Sequence, residues 1–157
     1  MADGRGRSLA TRITPGQAAD TKQLIASLEQ ISVTRPGGVG RPRKRPDSVT
    51  ADKAYSSKAN RAALRARGIV AVTPQPKDQI ANRARKGSRG GRRPAFDPDR
   101  YKRRNQVERG FGRRKQWRGL VTKYDKLLTS YRATADLVET LDWLRAVPDR
   151  TQDPLVL

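Results

Sequence analysis

Residues 101–117, YKRRNQVERGFGRRKQW, hold a single acid, Glu108, inside a strongly basic run. The cations around it are Arg100, Lys102, Arg103, Arg104, Arg109, Arg113, Arg114, Lys115 and Arg118. A lone carboxylate among so many cations suits a divalent metal held against a phosphate backbone, with Arg and Lys gripping the polyanion. On one helix Tyr101, Arg104 and Glu108 fall at i, i+3 and i+7 and share a face. A solvated acid paired with Arg104 gives the same spacing, so the pattern alone leaves both readings open. The second candidate is Asp52, at the end of the apolar run in DSVTADKAY. A carboxylate there stands at the carboxyl rim of a sheet, where ligands of α/β proteins bind. An ordinary turn or helix-capping acid is the plain alternative.

Two further segments carry binding chemistry. GRPRKRP, residues 40–46, sets Arg41 and Arg43 around prolines. It looks like the short hooks that enter the minor groove of A·T-rich DNA, where Arg reads groove width. A solvated basic loop that meets phosphates without specificity is the simpler reading. Trp117 and Tyr124 alternate with Lys and Arg and could stack on bases, whereas packing between the last two helices is the expected role for Trp117 and Trp143.

Composition bounds the partner. The chain has 157 residues, 35 Lys+Arg against 15 Asp+Glu, and a formal charge of +20. Such a surface attracts nucleic acid or another polyanion. There is no Cys and no His, which excludes disulfides, thiolate chemistry, zinc sites and Ser-His nucleophile pairs. Any metal must then rest on carboxylates, which favours Mg2+ or Mn2+. No apolar run approaches the roughly 20 residues that span a bilayer. The first residues lack a secretory h-region.

The elements that must position these residues follow from pattern. A strand is expected over 8–14, then a helix N-capped by Asp20 and running to about Ile31, with Leu24, Leu28 and Ile31 inward. Residues 35–46 form a basic loop. A short buried strand ends at Asp52. A helix over 58–67 is capped by Ser56 or Ser57 and stopped by Gly68. A buried strand follows over 69–74. Residues 77–96 read as a mobile Arg/Gly-rich insert. Asp97 as N-cap and Pro98 at the first position start a helix that should reach Trp117. Gly110 and Gly112 each weaken it by about 1 kcal/mol, which close packing or close DNA approach would explain. A last helix covers 129–146, with Tyr131, Thr134, Val138, Leu141 and Arg145 on one ridge and Leu137, Leu141 and Leu144 on the next. Pro148 ends it, and 148–157 form a loose tail. The strand–helix alternation predicts an α/β sheet. No internal repeat is visible.

Taken together, ITPGQAAD (13–20), ADKAYSS (51–57), NRARKGSRGGRRPAF (82–96) and above all YKRRNQVERGFGRRKQWRGLVTKYDKLLTSY (101–131) resemble bacterial insertion-sequence transposases of the DDE superfamily. That family's signature is a Tyr, an Arg three on, a Glu four beyond and a basic residue seven after it, here Tyr101, Arg104, Glu108 and Lys115. The resemblance covers residues 4–147. It implies an α/β, partial ribonuclease-H-like fold, a mixed sheet flanked by helices that lacks its first strands. It implies that Asp52 is the second catalytic acid and Glu108 the third, both ligands of Mg2+ or Mn2+. Tyr101, Arg104 and Lys115 would position the DNA backbone.

The chain departs from the pattern in one respect. Nothing supplies the first catalytic Asp, and Asp3, in ADGRG, matches a turn beyond the family's first catalytic strand. The chain is therefore expected to be the C-terminal part of a transposase, inactive alone. It would be either a relic or the downstream frame of a frameshifted enzyme whose upstream product restores the missing acid. Expected partners are transposon ends and target DNA, with no membrane, a homo-oligomer when active, and a bacterial, nucleoid-associated cytoplasmic location. The alternative from another class is a nonenzymatic, basic nucleic-acid-binding protein of architectural or ribosomal type.

Overall fold

The computed structural model describes residues 1–122 and 125–145. The fold is mixed α/β, mostly helical, with a small parallel sheet. It forms two compact units, one of Met1 and residues 9–105, the other of residues 2–8 and the chain from Gln106 onward. Among the described residues no helix is long and apolar enough to cross a membrane.

The first unit is built on an α-helix, α1 (Leu24–Glu29), preceded by a 3-10 turn, Asp20–Gln23. Asp20 lies in the first turn rather than at the N-cap, which is Ala19. The expected apolar face is present, since Leu24, Leu28 and Ile31 are all buried. Strand β1 (Ser48–Thr50) pairs in parallel with β2 (Val70–Val72), in register Ser48 with Val70. Between them runs α2 (Lys58–Ala66). Of the two candidate caps Ser57 does the work, its hydroxyl accepting from Asn60 N at 3.1 Å. Gly68, at φ 65°, ends the helix. There Ile69 N donates to Leu64 O and Gly68 N to Arg65 O, the paired bonds of a left-handed helix stop. That stop turns Ile69 back onto Leu64, and both join the core with Ala10 and α1. Leu64 is 2% exposed. Leu64→Ala should therefore cost about 2–5 kcal/mol in chemical denaturation, a large share of a total of about 5–15. A loss below about 1 kcal/mol would show that this cluster is not the core.

Three expectations for this unit fail. Residues 8–14 are not a strand. Ser8 makes an isolated antiparallel bridge with Ala2, and Leu9 and Ala10 spend their amides on Met1 O, leaving no ladder. Residues 77–96 are not irregular throughout, for they contain α3 (Lys77–Arg85) and a 3-10 turn, Gly87–Gly90. Asp78 in the first turn and Arg83 and Arg85 in the last suit the helix dipole, so α3 forms without burying a side chain. The second strand is buried at Ile69 and Val72, but Val70 is 53% exposed. Val70 thus stands on a face of the sheet that is left open to solvent.

The unit ends with α4 (Pro98–Lys102). Asp97 caps it as expected, accepting from Asp99 N and Arg100 N at 3.0 Å, with Pro98 at the first position. The helix does not continue to Trp117. It closes with short i to i−3 bonds, Arg103 N to Arg100 O and Arg104 N to Tyr101 O, and a new helix α5 (Asn105–Arg114) begins. Arg100, Arg103 and Arg104 would repel one another on a continuous helix, and Asn105 favours a boundary.

The second unit packs α5, α6 (Arg118–Val121) and α7 (Leu128–Arg145) with the turn 2–8. Asp3 organises that turn, accepting from Arg5 N, Arg7 N and Arg7 Nε at 2.7–3.0 Å. Burial alone would raise its pKa, but the Arg7 bonds win and hold it below the usual value. Residues 2–8 thus form a turn held by Asp3. Gly6 and Gly110 press backbone on backbone: a Cβ on Gly110 would overlap the Gly6 carbonyl oxygen. Gly112, by contrast, faces open space. On α7 Ala135 and Val138 are buried, whereas Leu137 and Leu144 are exposed, so only the ridge through Val138 packs inward. Residues 146–157, with Pro148 and the expected tail, lie outside the described residues, as does Tyr124.

Candidate functional site

Asp52 stands two residues beyond the end of β1. Ala51 N still donates to Val72 O at 3.2 Å, so the parallel pairing reaches almost to it. Its backbone is extended, and its exposed carboxylate accepts from Lys53 N to cap the 3-10 turn Lys53–Tyr55. Rim position and capping role, posed as alternatives, coexist in one residue. A polar network follows the turn in the chain. Buried Ser56 accepts from Arg61 Nη2 at 2.8 Å, and the same nitrogen donates to Thr73 O at 2.7 Å. Ser56 in turn donates to Gln79 on α3 at 3.2 Å. Burial pushes the Tyr55 phenol above its ordinary pKa, and the carboxylates of Asp20 and Asp52 add to that shift. Asp20 and Asp52 therefore act on the same hydroxyl, a convergence that periodicity did not reveal.

Tyr101 and Arg104 are brought together. The Arg104 guanidinium lies 5.9 Å from the Tyr101 ring, which also meets Phe96 at 5.4 Å. Both belong to the first unit, with Asp52, Arg41 and Arg43. Glu108 and Lys115 belong to the second. Glu108 is exposed on α5. Lys115 lies one residue past α5 and keeps the helical bond to Phe111 O at 3.0 Å. Seven residues apart, Glu108 and Lys115 share a helix face. The break at Arg103 and Arg104 removes the continuous helix that was expected to align Tyr101 and Arg104 with Glu108.

Carboxylates are the right donors for a hard divalent cation. Among the described residues, however, no three acids gather as a metal-binding group. The donor set is right in kind and short in number, so it does not fit a metal by itself.

The basic loop is more structured than its composition predicts. Val33 and Arg43 exchange backbone bonds of 2.9 and 2.7 Å across its base. Arg35 Nε donates to Arg41 O at 3.1 Å. Arg43 pairs with Asp47 Oδ1 at 2.6 Å, an exposed contact, and donates to Arg45 O at 3.2 Å. Arg41 is exposed.

In the second unit the two tryptophans pack, although Trp143 meets the turn 2–8 and Phe111 is exposed. Trp143 Nε1 donates to Ser8 O at 2.7 Å, beneath the Arg7 guanidinium at 4.1 Å. Trp117 is half-buried, with Arg145 at 6.0 Å. Arg113 clamps Asp142 through bonds of 2.9 and 3.2 Å. Arg114 Nε and Nη2 are buried without a partner among the described residues, with the guanidinium 5.4 Å from the Phe111 ring.

Residues 1–133 match the family model described as the transposase DDE domain. A Burkholderia cepacia protein named as the transposase for insertion sequence element IS402 is 39% identical over 72 residues. That match covers 46% of this chain and 34% of the relative, so the aligned stretch spans about a third of the relative's length. No solved structure matches the chain significantly.

Proposed function

Since the chain belongs to the transposase DDE-domain family, we propose that it is the C-terminal part of an insertion-sequence transposase catalytic domain. In this reading residues 4–147 form part of a ribonuclease-H-like fold. Asp52 and Glu108 are its second and third acids, and a preceding segment or separate upstream product supplies the first. Completed in that way, the acids would hold Mg2+ or Mn2+. Tyr101, Arg104, Lys115, Arg41 and Arg43 would grip the DNA of transposon ends and target. The partner is DNA, the active form is a homo-oligomer, and the setting is the bacterial nucleoid.

The observation that supports this most is the position of Asp52. It follows the carboxyl end of a parallel strand pair. Among the described residues no further strand pairs with it, which suits a sheet completed by strands from elsewhere.

The test is strand cleavage of a duplex carrying the element's ends, with Mg2+ or Mn2+. The chain should bind but not cut alone, and should cut when combined with the upstream segment. Cleavage by the chain alone would refute the missing-acid reading.

The charge of +20 favours a second reading, a nonenzymatic architectural protein. In that case binding falls steeply with salt, as counterion release dictates, and no combination cuts.

A further inference from the structure

Residues 33–43 make a narrow basic hairpin with an apolar tip. The rung between Val33 and Arg43 closes its base. Within it Gly37, Gly38 and Gly40 take the left-handed region, at φ 79°, 72° and 91°. These glycines reverse the chain and leave Val39 between two residues that have no side chain. Val39 lies on extended backbone (φ −91°, ψ 130°) and is 80% exposed. No acid occurs from residue 30 to residue 46, while Arg35, Arg41, Arg43, Lys44 and Arg45 do. Arg35 and Arg43 brace the hairpin through Arg41 O and Asp47, and the side chains of Arg41 and Lys44 are exposed. A loop that only gripped phosphates would need the cations but not the valine.

We propose that this hairpin enters the minor groove of A·T-rich duplex DNA, with Val39 as a wedge against a base step and Arg41 in the groove. The inference rests on the DNA-binding reading above and adds the groove, the base composition and the wedge. A minor groove about 6 Å wide admits little more than bare backbone, and the glycines flanking Val39 meet that limit. A·T-rich tracts narrow the groove and deepen its negative potential, which draws arginine. Apolar side chains presented this way unstack a base step and bend the duplex towards the major groove.

The test uses the full chain and short duplexes with A·T-rich or G·C-rich centres, bending being read by energy transfer between labelled ends. The wild-type chain should bend the A·T-rich duplex, and distamycin, a minor-groove ligand, should displace it. Val39→Ser, at an exposed position, should keep affinity within about threefold yet lose the bend. Arg41→Ala should weaken A·T-rich binding about tenfold and G·C-rich binding far less. An undiminished bend in Val39→Ser, or equal affinity for both duplexes, overturns the hairpin inference and leaves DNA binding standing. Tighter binding to duplex RNA, with its wide shallow minor groove, also overturns it. If the wild-type chain binds no duplex at low salt, the DNA-binding reading fails and this inference fails with it.

Discussion

On the proposed reading, with the first acid supplied from outside these residues, Asp52→Ala and Glu108→Ala should each cut strand cleavage about a thousandfold or more, because losing a proposed metal ligand would remove several kcal/mol of transition-state stabilisation. Duplex affinity should stay within about twofold, since the grip comes from cations and counterion release. Both acids are exposed, so neither change empties a core position. Asp52 does cap the turn at Lys53, and its loss there costs about 1 kcal/mol. Asp52→Asn controls for that, because the amide oxygen can still accept from Lys53 N while the charge is gone. Loss of cleavage in both Asp52 variants, with unchanged thermal melting in Asp52→Asn, assigns the effect to the carboxylate. Cleavage that survives both the Asp52 and the Glu108 changes removes these residues from the site.

Gly110→Ala should destabilise the second unit even though alanine is the better helix former. At an open position the change would add about 1 kcal/mol of helix stability. Here the added methyl would overlap the Gly6 carbonyl oxygen, and that obstacle is backbone, which cannot swing aside as a long side chain would. The net effect should be a loss of about 1–3 kcal/mol, typical of overpacking. Gly112→Ala, two residues on, is the internal control and should stabilise, because nothing lies within 4 Å of its Cβ position. The chain's two tryptophans, Trp117 and Trp143, both belong to this unit, so their fluorescence follows its unfolding selectively. Equal gains from the two alanines would mean that turn 2–8 does not pack on α5.

Local signals were legible wherever one residue type enforces one geometry. Asp97 and Pro98 announced the start of α4, Ser57 and Gly68 bounded α2, and the spacing of Leu24, Leu28 and Ile31 gave the buried face. The two short strands followed from apolar runs bounded by turn residues. What the pattern missed depended on partners distant in sequence. Residues 8–14 alternate like a strand, but the amides of Leu9 and Ala10 go to Met1 O instead of a neighbouring strand. Residues 101–117 read as one helix because apolar and basic periodicity continues through Arg103 and Arg104, while mutual repulsion and Asn105 end it. Leu137 and Leu144 share helical spacing with true core positions, yet the packed ridge runs through Val138. At the candidate site the residue types of Asp52, Tyr101, Arg104, Glu108 and Lys115 were readable. The Ser56–Arg61–Thr73 network and the convergence of Asp20 and Asp52 on Tyr55 were not, because tertiary hydrogen bonds and shared fields leave no periodic trace.

The discontinuity of the second unit bears on the order of folding. Its turn, residues 2–8, and its helices, from Gln106 on, are separated in sequence by the whole of residues 9–105. Closing an unstructured loop of that length costs on the order of 4 kcal/mol in chain entropy. The first unit needs no such closure for its β1–α2–β2 crossover, which is contiguous. Once that unit has condensed, the intervening chain is no longer free, and the entropy left to lose is smaller. The turn of residues 2–8 should thus dock last, waiting for helices that are synthesised after it.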